Sequence, residues 1–178
     1  TAYGNRIDFV TIQTTGDASE FGDLLLGRYG NPAVSNGVRG IQMGGNTGGK
    51  NIEFVNIQSK GDAQDFGQMI SSVDDGGTLC DNTRGVCATS ASGADTIEFI
   101  TMATFGNATD FGNLSTGRRP RGCSNQTRGL FGGGANPMNN IIDFITIQTT
   151  GNASDFGDLI TPVQQLGAIS DIHGGTGD

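Results

Sequence analysis

The apolar positions of this chain fall in short runs, and the runs return at a fixed interval. Ile7-Asp8-Phe9-Val10-Thr11-Ile12 comes back as Ile52-Glu53-Phe54-Val55-Asn56-Ile57 and as Ile97-Glu98-Phe99-Ile100-Thr101-Met102, then as Ile142-Asp143-Phe144-Ile145-Thr146-Ile147. The steps 52 − 7, 97 − 52 and 142 − 97 are each 45 residues. These blocks are β-branched and aromatic with little helix-favouring composition, which predicts a strand. A second block runs from Gly16 to Leu24 and recurs at Gly61, Gly106 and Gly151. Its Gly-Asx-Ala start is turn chemistry, because Asx side chains bond to nearby backbone. Its Phe-Gly ending opens another short strand. A third block begins at Arg39-Gly40, Arg84-Gly85 and Arg128-Gly129, and in two copies leads into Gly44-Gly45 or Gly132-Gly133-Gly134. The fourth copy degenerates to Ser170-Asp171-Ile172-His173-Gly174-Gly175.

About four short strands per unit is the size of a propeller blade. The expected fold is therefore all-β: a β-propeller of four blades in a single domain, 1–178. Its units are approximately 7–51, 52–96, 97–141, and 142–178 plus 1–6. Eight of the ten phenylalanines occupy two repeat positions. One set is Phe9, Phe54, Phe99 and Phe144, and the other is Phe21, Phe66, Phe111 and Phe156. A fixed aromatic in each unit is what stacked units need to share a core. The chain also starts and stops in mid-unit, so one blade is expected to be composite. Residues 160–178 would supply its first two strands and residues 5–26 the other two, hiding the sheet edges.

The order Arg, apolar run, Gly-Gly, variable loop, Ile-Asp/Glu-Phe strand, turn, Phe, Leu resembles the kelch repeat. That resemblance implies that the glycine pair ends the second strand. It also implies that Phe21, Phe66, Phe111 and Phe156 take the place of the tryptophan packed between blades. The chain has no Trp, so it is kelch-like rather than a standard kelch. The wording from Ile142 to Leu159 is also similar to repeat regions of phage tail-associated proteins, notably marine ones. This second resemblance implies a tail-fibre or adhesin role, on a virion or extracellular surface.

Composition narrows the function. Glycine is abundant, at 31 of 178 residues, without the strict triplet of collagen. The net charge of −8 argues against nucleic acid, which needs a basic face, and against anionic lipid. No window approaches 18 apolar residues, so no transmembrane helix is expected. The first residue is Thr rather than Met, which suggests a processed N-terminus or a piece of a longer chain. Cys80, Cys87 and Cys123 are odd in number and read as small buried thiols. Cys80 and Cys87 are close enough in sequence to face each other across neighbouring strands. No zinc spacing appears, and no metal or cofactor is expected.

Four candidate groups remain. The acids Asp8, Glu53, Glu98 and Asp143 stand in otherwise apolar strands and need partners. Arg39, Arg84 and Arg128 are the expected ion-pair partners. The alternative is a glycan-acting hydrolase using paired carboxylates, although catalysis does not need four copies of one acid. The acids of the Asx-rich turns, Asp17, Glu20, Asp23, Asp155 and Asp158, invite a calcium reading. Amides replace them in other copies, and the favoured reading is a capped turn. The loops differ most between copies, and loops on a rigid scaffold carry binding. The candidate binding residues are Tyr29, Asn31, Asp74, Asp75, Arg118, Arg119 and Arg121. The function expected is a non-enzymatic binding or structural module that contacts a protein or cell-surface glycan, with homo-oligomerisation in a larger assembly.

Overall fold

The computed structural model describes residues 3–47, 49–89 and 93–170. Among them there is no helix, and fourteen strands form four antiparallel sheets. The first sheet has two strands, β1 (Arg6–Phe9) and β2 (Ser19–Asp23). The second has four in sequence order, β3 (Ala33–Ser35), β4 (Arg39–Met43), β5 (Asn51–Asn56) and β6 (Gln64–Gln68). The third repeats that order with β7 (Gly77–Cys80), β8 (Arg84–Ala88), β9 (Thr96–Thr101) and β10 (Thr109–Asn113). The fourth has β11 (Arg119–Ser124), β12 (Arg128–Ala135), β13 (Asn139–Thr146) and the long β14 (Ser154–Val163). Each repeat of the sequence is thus a meander whose neighbours in sequence are neighbours in the sheet.

Registers repeat as the sequence does. Ile41 faces Phe54, Val86 faces Phe99 and Leu130 faces Phe144. A bulge falls after Ile7, Ile52 and Ile142, at the acid of the apolar block, and shifts the pairing with the Phe-Gly strand. An Asx side chain closes the turn into each arginine strand. Asn36, Asp81 and Asn125 each accept N–H bonds from the residues two and three further on. Asp81 is held below the usual carboxylate range. Burial pushes it up, but N–H groups of Arg84 and Thr83 and the Gln148 side chain outweigh that.

The core lies in layers between sheets, because alternate residues of one strand point to opposite faces. Ile41, Met43, Ile52 and Phe66 of the second sheet, with Val73 of the loop that follows it, pack with Cys87, Ile100 and Met102 of the third unit. Val86, Ala88 and Ile97 on the other face of the third sheet pack with Phe131, Ile145 and Ile147 of the fourth. The two phenylalanine positions meet inside each unit. Pairs Phe9–Phe21, Phe54–Phe66, Phe99–Phe111 and Phe144–Phe156 sit edge to face at 6.1, 6.1, 6.0 and 6.2 Å.

Successive sheets are joined at their outer ends by one recurring junction. The N–H groups of Gly61, Gly106 and Gly151 donate to the carbonyls of Phe21, Phe66 and Phe111 at 2.9, 2.9 and 2.7 Å. Two residues on, Ala63, Ala108 and Ala153 donate to Asp23, Gln68 and Asn113, each at 2.8 Å. The side chains of Asp62, Asn107 and Asn152 accept from those last three residues in return. A Cβ on Gly22, Gly67 or Gly112 would lie 2.2 to 2.3 Å from the facing glycine carbonyl oxygen, so only glycine allows this approach.

Two expectations are corrected here. Residues 160–163 do not open a composite unit, because they continue β14 beside β13. Residues 164–170 form no strand, and the remaining part of the proposed clasp, 171–178 with His173, lies outside the described residues. Cys80 and Cys87 do not face each other. Cys80 is opposite Gly85 and Cys87 opposite Thr78, and all three cysteines are free thiols.

Candidate functional site

The first strands β3, β7 and β11 lie side by side. The Thr78 hydroxyl donates to Ala33 O at 2.9 Å, and the Ser124 hydroxyl donates to Cys80 O at 2.7 Å. The segment after β14 continues this series, with the Ser170 hydroxyl donating to Ser124 O at 2.7 Å. Inside the arc they form is an open cleft with two connected compartments. The first, about 420 Å³, is lined by Gly30, Asn31 and Pro32, by Asp75, Gly76 and Thr78, by Arg121 and Gly122, and by Leu166, Gly167 and Ala168. The second, about 510 Å³, shares Thr78, Gly122 and Ala168 and extends past Ser35, Cys80, Ser124 and Ser170. Equivalent positions of four repeats thus face one space.

Local chemistry sets the mouth of the first compartment. Gly30, Asp75 and Gln165 occupy one repeat position and all have left-handed backbones, with φ of 65°, 66° and 55°. For Asp75 and Gln165 this conformation is strained. The remaining copy has Pro120, whose ring forbids positive φ, and there the strand starts earlier, at Arg119. The Asp75 N–H donates to Gly30 O at 2.7 Å. Arg121 then donates to the Asp75 carbonyl at 3.1 Å and pairs with its carboxylate at 2.5 Å. Both side chains of the pair are partly exposed, so they present a charged donor and acceptor to the cleft.

Of the seven candidate binding residues, the structure brings Asn31, Asp75 and Arg121 together on this cleft. Tyr29 stands exposed next to it, edge-on to Tyr3 with ring centroids 4.7 Å apart. Asp74 lies against Gly30. Arg119 is half-buried in β11 opposite Ala135. Arg118, offered above as a loop binding residue, is a correction, because its side chain is not open to a partner. It is fully buried, pairs with Asp143 at 2.8 Å, and donates to the carbonyls of Gly133, Phe131 and Thr116.

The acids of the apolar strands are corrected in their partners. Glu53, Glu98 and Asp143 are buried, and each accepts backbone N–H bonds from the loop that leaves the preceding unit. Leu25 donates to Glu53 at 2.6 Å, Ile70 and Ser71 to Glu98 at 2.7 and 2.9 Å, and Ser115 to Asp143 at 3.1 Å. The guanidinium partners are Arg28 for Glu53 and Arg118 for Asp143. Asp8 is exposed and contacts Arg6. Arg39, Arg84 and Arg128 instead stack on the neighbouring phenylalanines Phe54, Phe99 and Phe144, with centroid distances of 5.2, 4.4 and 4.6 Å. Arg39 and Arg84 also donate across the junction to Met102 O and Ile147 O, at 2.6 and 2.9 Å. The reason is register: the arginine is opposite the end of the third strand, as Arg39 faces Asn56, whereas the acid lies three residues earlier in that strand, as Glu53 faces Gln42. The loop residues Arg28 and Arg118 were not legible as partners, although each lies 25 residues before its acid.

Among the described residues no group of His, Cys, Asp and Glu is placed to hold a metal ion. Glu20 reaches Arg6 at 2.8 Å. Burial raises the thiols Cys80, Cys87 and Cys123 above their ordinary range, which leaves them protonated and poor nucleophiles. No protein-family model matches this chain, and no curated protein is detectably similar to it in sequence.

Proposed function

We propose that this chain is a non-enzymatic binding module, its four sheets acting as kelch-like propeller blades about the axial cleft. The observation that carries this reading is the cleft itself, into which four repeats present the same loop position. Those loops differ in residue type while the junctions between sheets hardly vary, the division of labour expected of a rigid scaffold with adaptable contacts. The partner is a protein or cell-surface glycan, engaged at Asn31, Asp75 and Arg121, with Tyr29 and Tyr3 as an adjoining aromatic surface. Asn and Asp suit hydroxyl recognition, an Asp–Arg pair offers donors and an acceptor together, and exposed Tyr adds rigid amphipathic area. A tail-fibre or adhesin setting on a virion or extracellular surface fits an acidic chain devoted to scaffold. Each buried acid accepts at least one backbone N–H bond from a neighbouring loop, Glu98 on both oxygens and Glu53 and Asp143 on one, which favours a structural role for them over a hydrolytic one.

The test is binding of the purified chain to a glycan array and to bacterial envelope fractions. The Asp75→Ala and Arg121→Ser variants are run in parallel, with melting temperature as the fold control. Binding that falls at least tenfold in either variant at unchanged melting supports the cleft as the site. No binding by the parent chain to any glycan or envelope fraction overturns the reading.

A further inference from the structure

Every junction between sheets joins two short half-motifs. One half is Phe-Gly followed by Asp, Gln or Asn at a sheet's outer edge, which offers the Phe carbonyl and the N–H and C=O of that third residue. The other is the Gly-Asx-Ala turn of the next sheet, which offers two N–H donors and one Asx oxygen. The chain holds a fourth copy of each half, and these two are not joined. Phe156-Gly157-Asp158 lies in β14, and Gly16-Asp17-Ala18 in the turn between β1 and β2. A Cβ at Gly157 or at Gly16 would meet nothing within 4 Å. Phe156 keeps 50% of its surface exposed, where Phe66 and Phe111 keep 3% and 2%.

We propose that these two half-junctions are docking surfaces for a second copy of the chain, the Phe156 end of one molecule seating on the Gly16 turn of the next. The occupant is argued from the chain itself. This interface is already formed between its own sheets, and the free halves have the residues that form it. Donors and acceptors are complementary: Phe156 and Asp158 carbonyls face Gly16 and Ala18 N–H groups, and the Asp158 N–H faces the Asp17 carboxylate. An aspartate on both sides is no obstacle, since Asp23 donates its N–H to the Asp62 carboxylate in the first internal junction at 3.0 Å. Docking would also bury Phe156 as Phe66 and Phe111 are buried. Because the two surfaces differ, the contact is head-to-tail and each added copy exposes a new end.

Cysteine pairing tests this. The Ala18→Cys and Asp158→Cys variants are prepared separately, mixed and mildly oxidised, and peptide mass spectrometry locates the disulfide apart from native Cys80, Cys87 and Cys123. Asp23→Cys with Ala63→Cys in one chain is the control for the geometry. The expected result is a disulfide between positions 18 and 158 of different chains, and a light-scattering mass that rises with concentration. Gly157→Ala, whose added carbon would meet the docking carbonyl, should lower the association at least tenfold without unfolding the chain. A monomeric mass at all concentrations overturns the proposal. So does a link between 18 and 158 that forms only inside single chains of the double variant.

Discussion

Glu98 shares its repeat position with Glu53 and Asp143 but lacks their guanidinium. Where those acids have Arg28 and Arg118, the middle unit has Val73, itself buried, and Cys87 lies directly opposite Glu98 in the sheet. Burial raises the Glu98 carboxyl above its ordinary range, against the Ile70 and Ser71 donors and distant Lys50. The folded state therefore holds this proton more tightly than the unfolded chain does. Its contribution to stability is full below the ordinary glutamate pKa and is lost as pH rises through the raised value. The wild type should melt progressively lower as pH rises above the ordinary glutamate range, and Glu98→Gln should flatten that slope, as read by thermal denaturation across pH. Arg118 gives the contrasting case. Arg118→Met strands Asp143 as an uncompensated buried charge, with an expected cost of about 3–5 kcal/mol in chemical denaturation. Adding Asp143→Asn should return part of it. That a buried acid needs a partner was legible in the sequence. Which arginine supplies it was not, because the choice depends on the bulge that turns the acid toward the preceding loop.

At the scale of the element, the sheet junction rests on a glycine whose role depends on what faces it. Gly112 and Gly157 occupy the same repeat position with φ of 143° and 140°, so alanine strains the backbone alike in both. Only at Gly112 does the new carbon also meet a carbonyl oxygen, 2.3 Å away. Gly157→Ala should cost about 1–3 kcal/mol from strain, measured where the chain is monomeric. Gly112→Ala should cost about 2 kcal/mol more from overpacking, and the difference isolates the junction. Strand positions were readable from the sequence because β-branched and aromatic runs recur at one period. The paired phenylalanines were readable as a shared core. The stacking of Arg39, Arg84 and Arg128 on those rings was not, since period alone does not say whether an arginine meets a carboxylate or an aromatic face. The left-handed position shared by Gly30, Asp75 and Gln165 was hidden for a similar reason. Three unlike residues hold one conformation, and only glycine advertises it.

Across the whole molecule, burial is graded along the chain. The third sheet is covered on both faces by the two core layers, whereas β1 and β2 are largely exposed at one end. Hydrogen exchange should therefore be slowest for amides of β8 and β9 and fastest for β1 and β2. Uniform protection over all four sheets would mean that both ends are covered in solution. The all-β architecture was legible from the repeat. That β14 runs on to Val163 beside β13 was not, because the Ile160-Thr161-Pro162-Val163 stretch departs from its counterparts in the other repeats.

The junction has one consequence for inheritance. Its partners are separated by 39 and 40 residues in every copy, so each joint is specified by two adjacent units and by nothing further away. A duplication or loss of one complete 45-residue unit, as unequal crossing-over between similar stretches of gene would produce, leaves every surviving joint with both halves. An insertion inside one of the strands between a Phe-Gly edge and the next Gly-Asx turn would shift the register that brings donor to acceptor. Selection acting on this fold would therefore tolerate changes in unit number far more readily than changes in unit length. The cleft loops, which take no part in the joint, remain free to diverge from copy to copy.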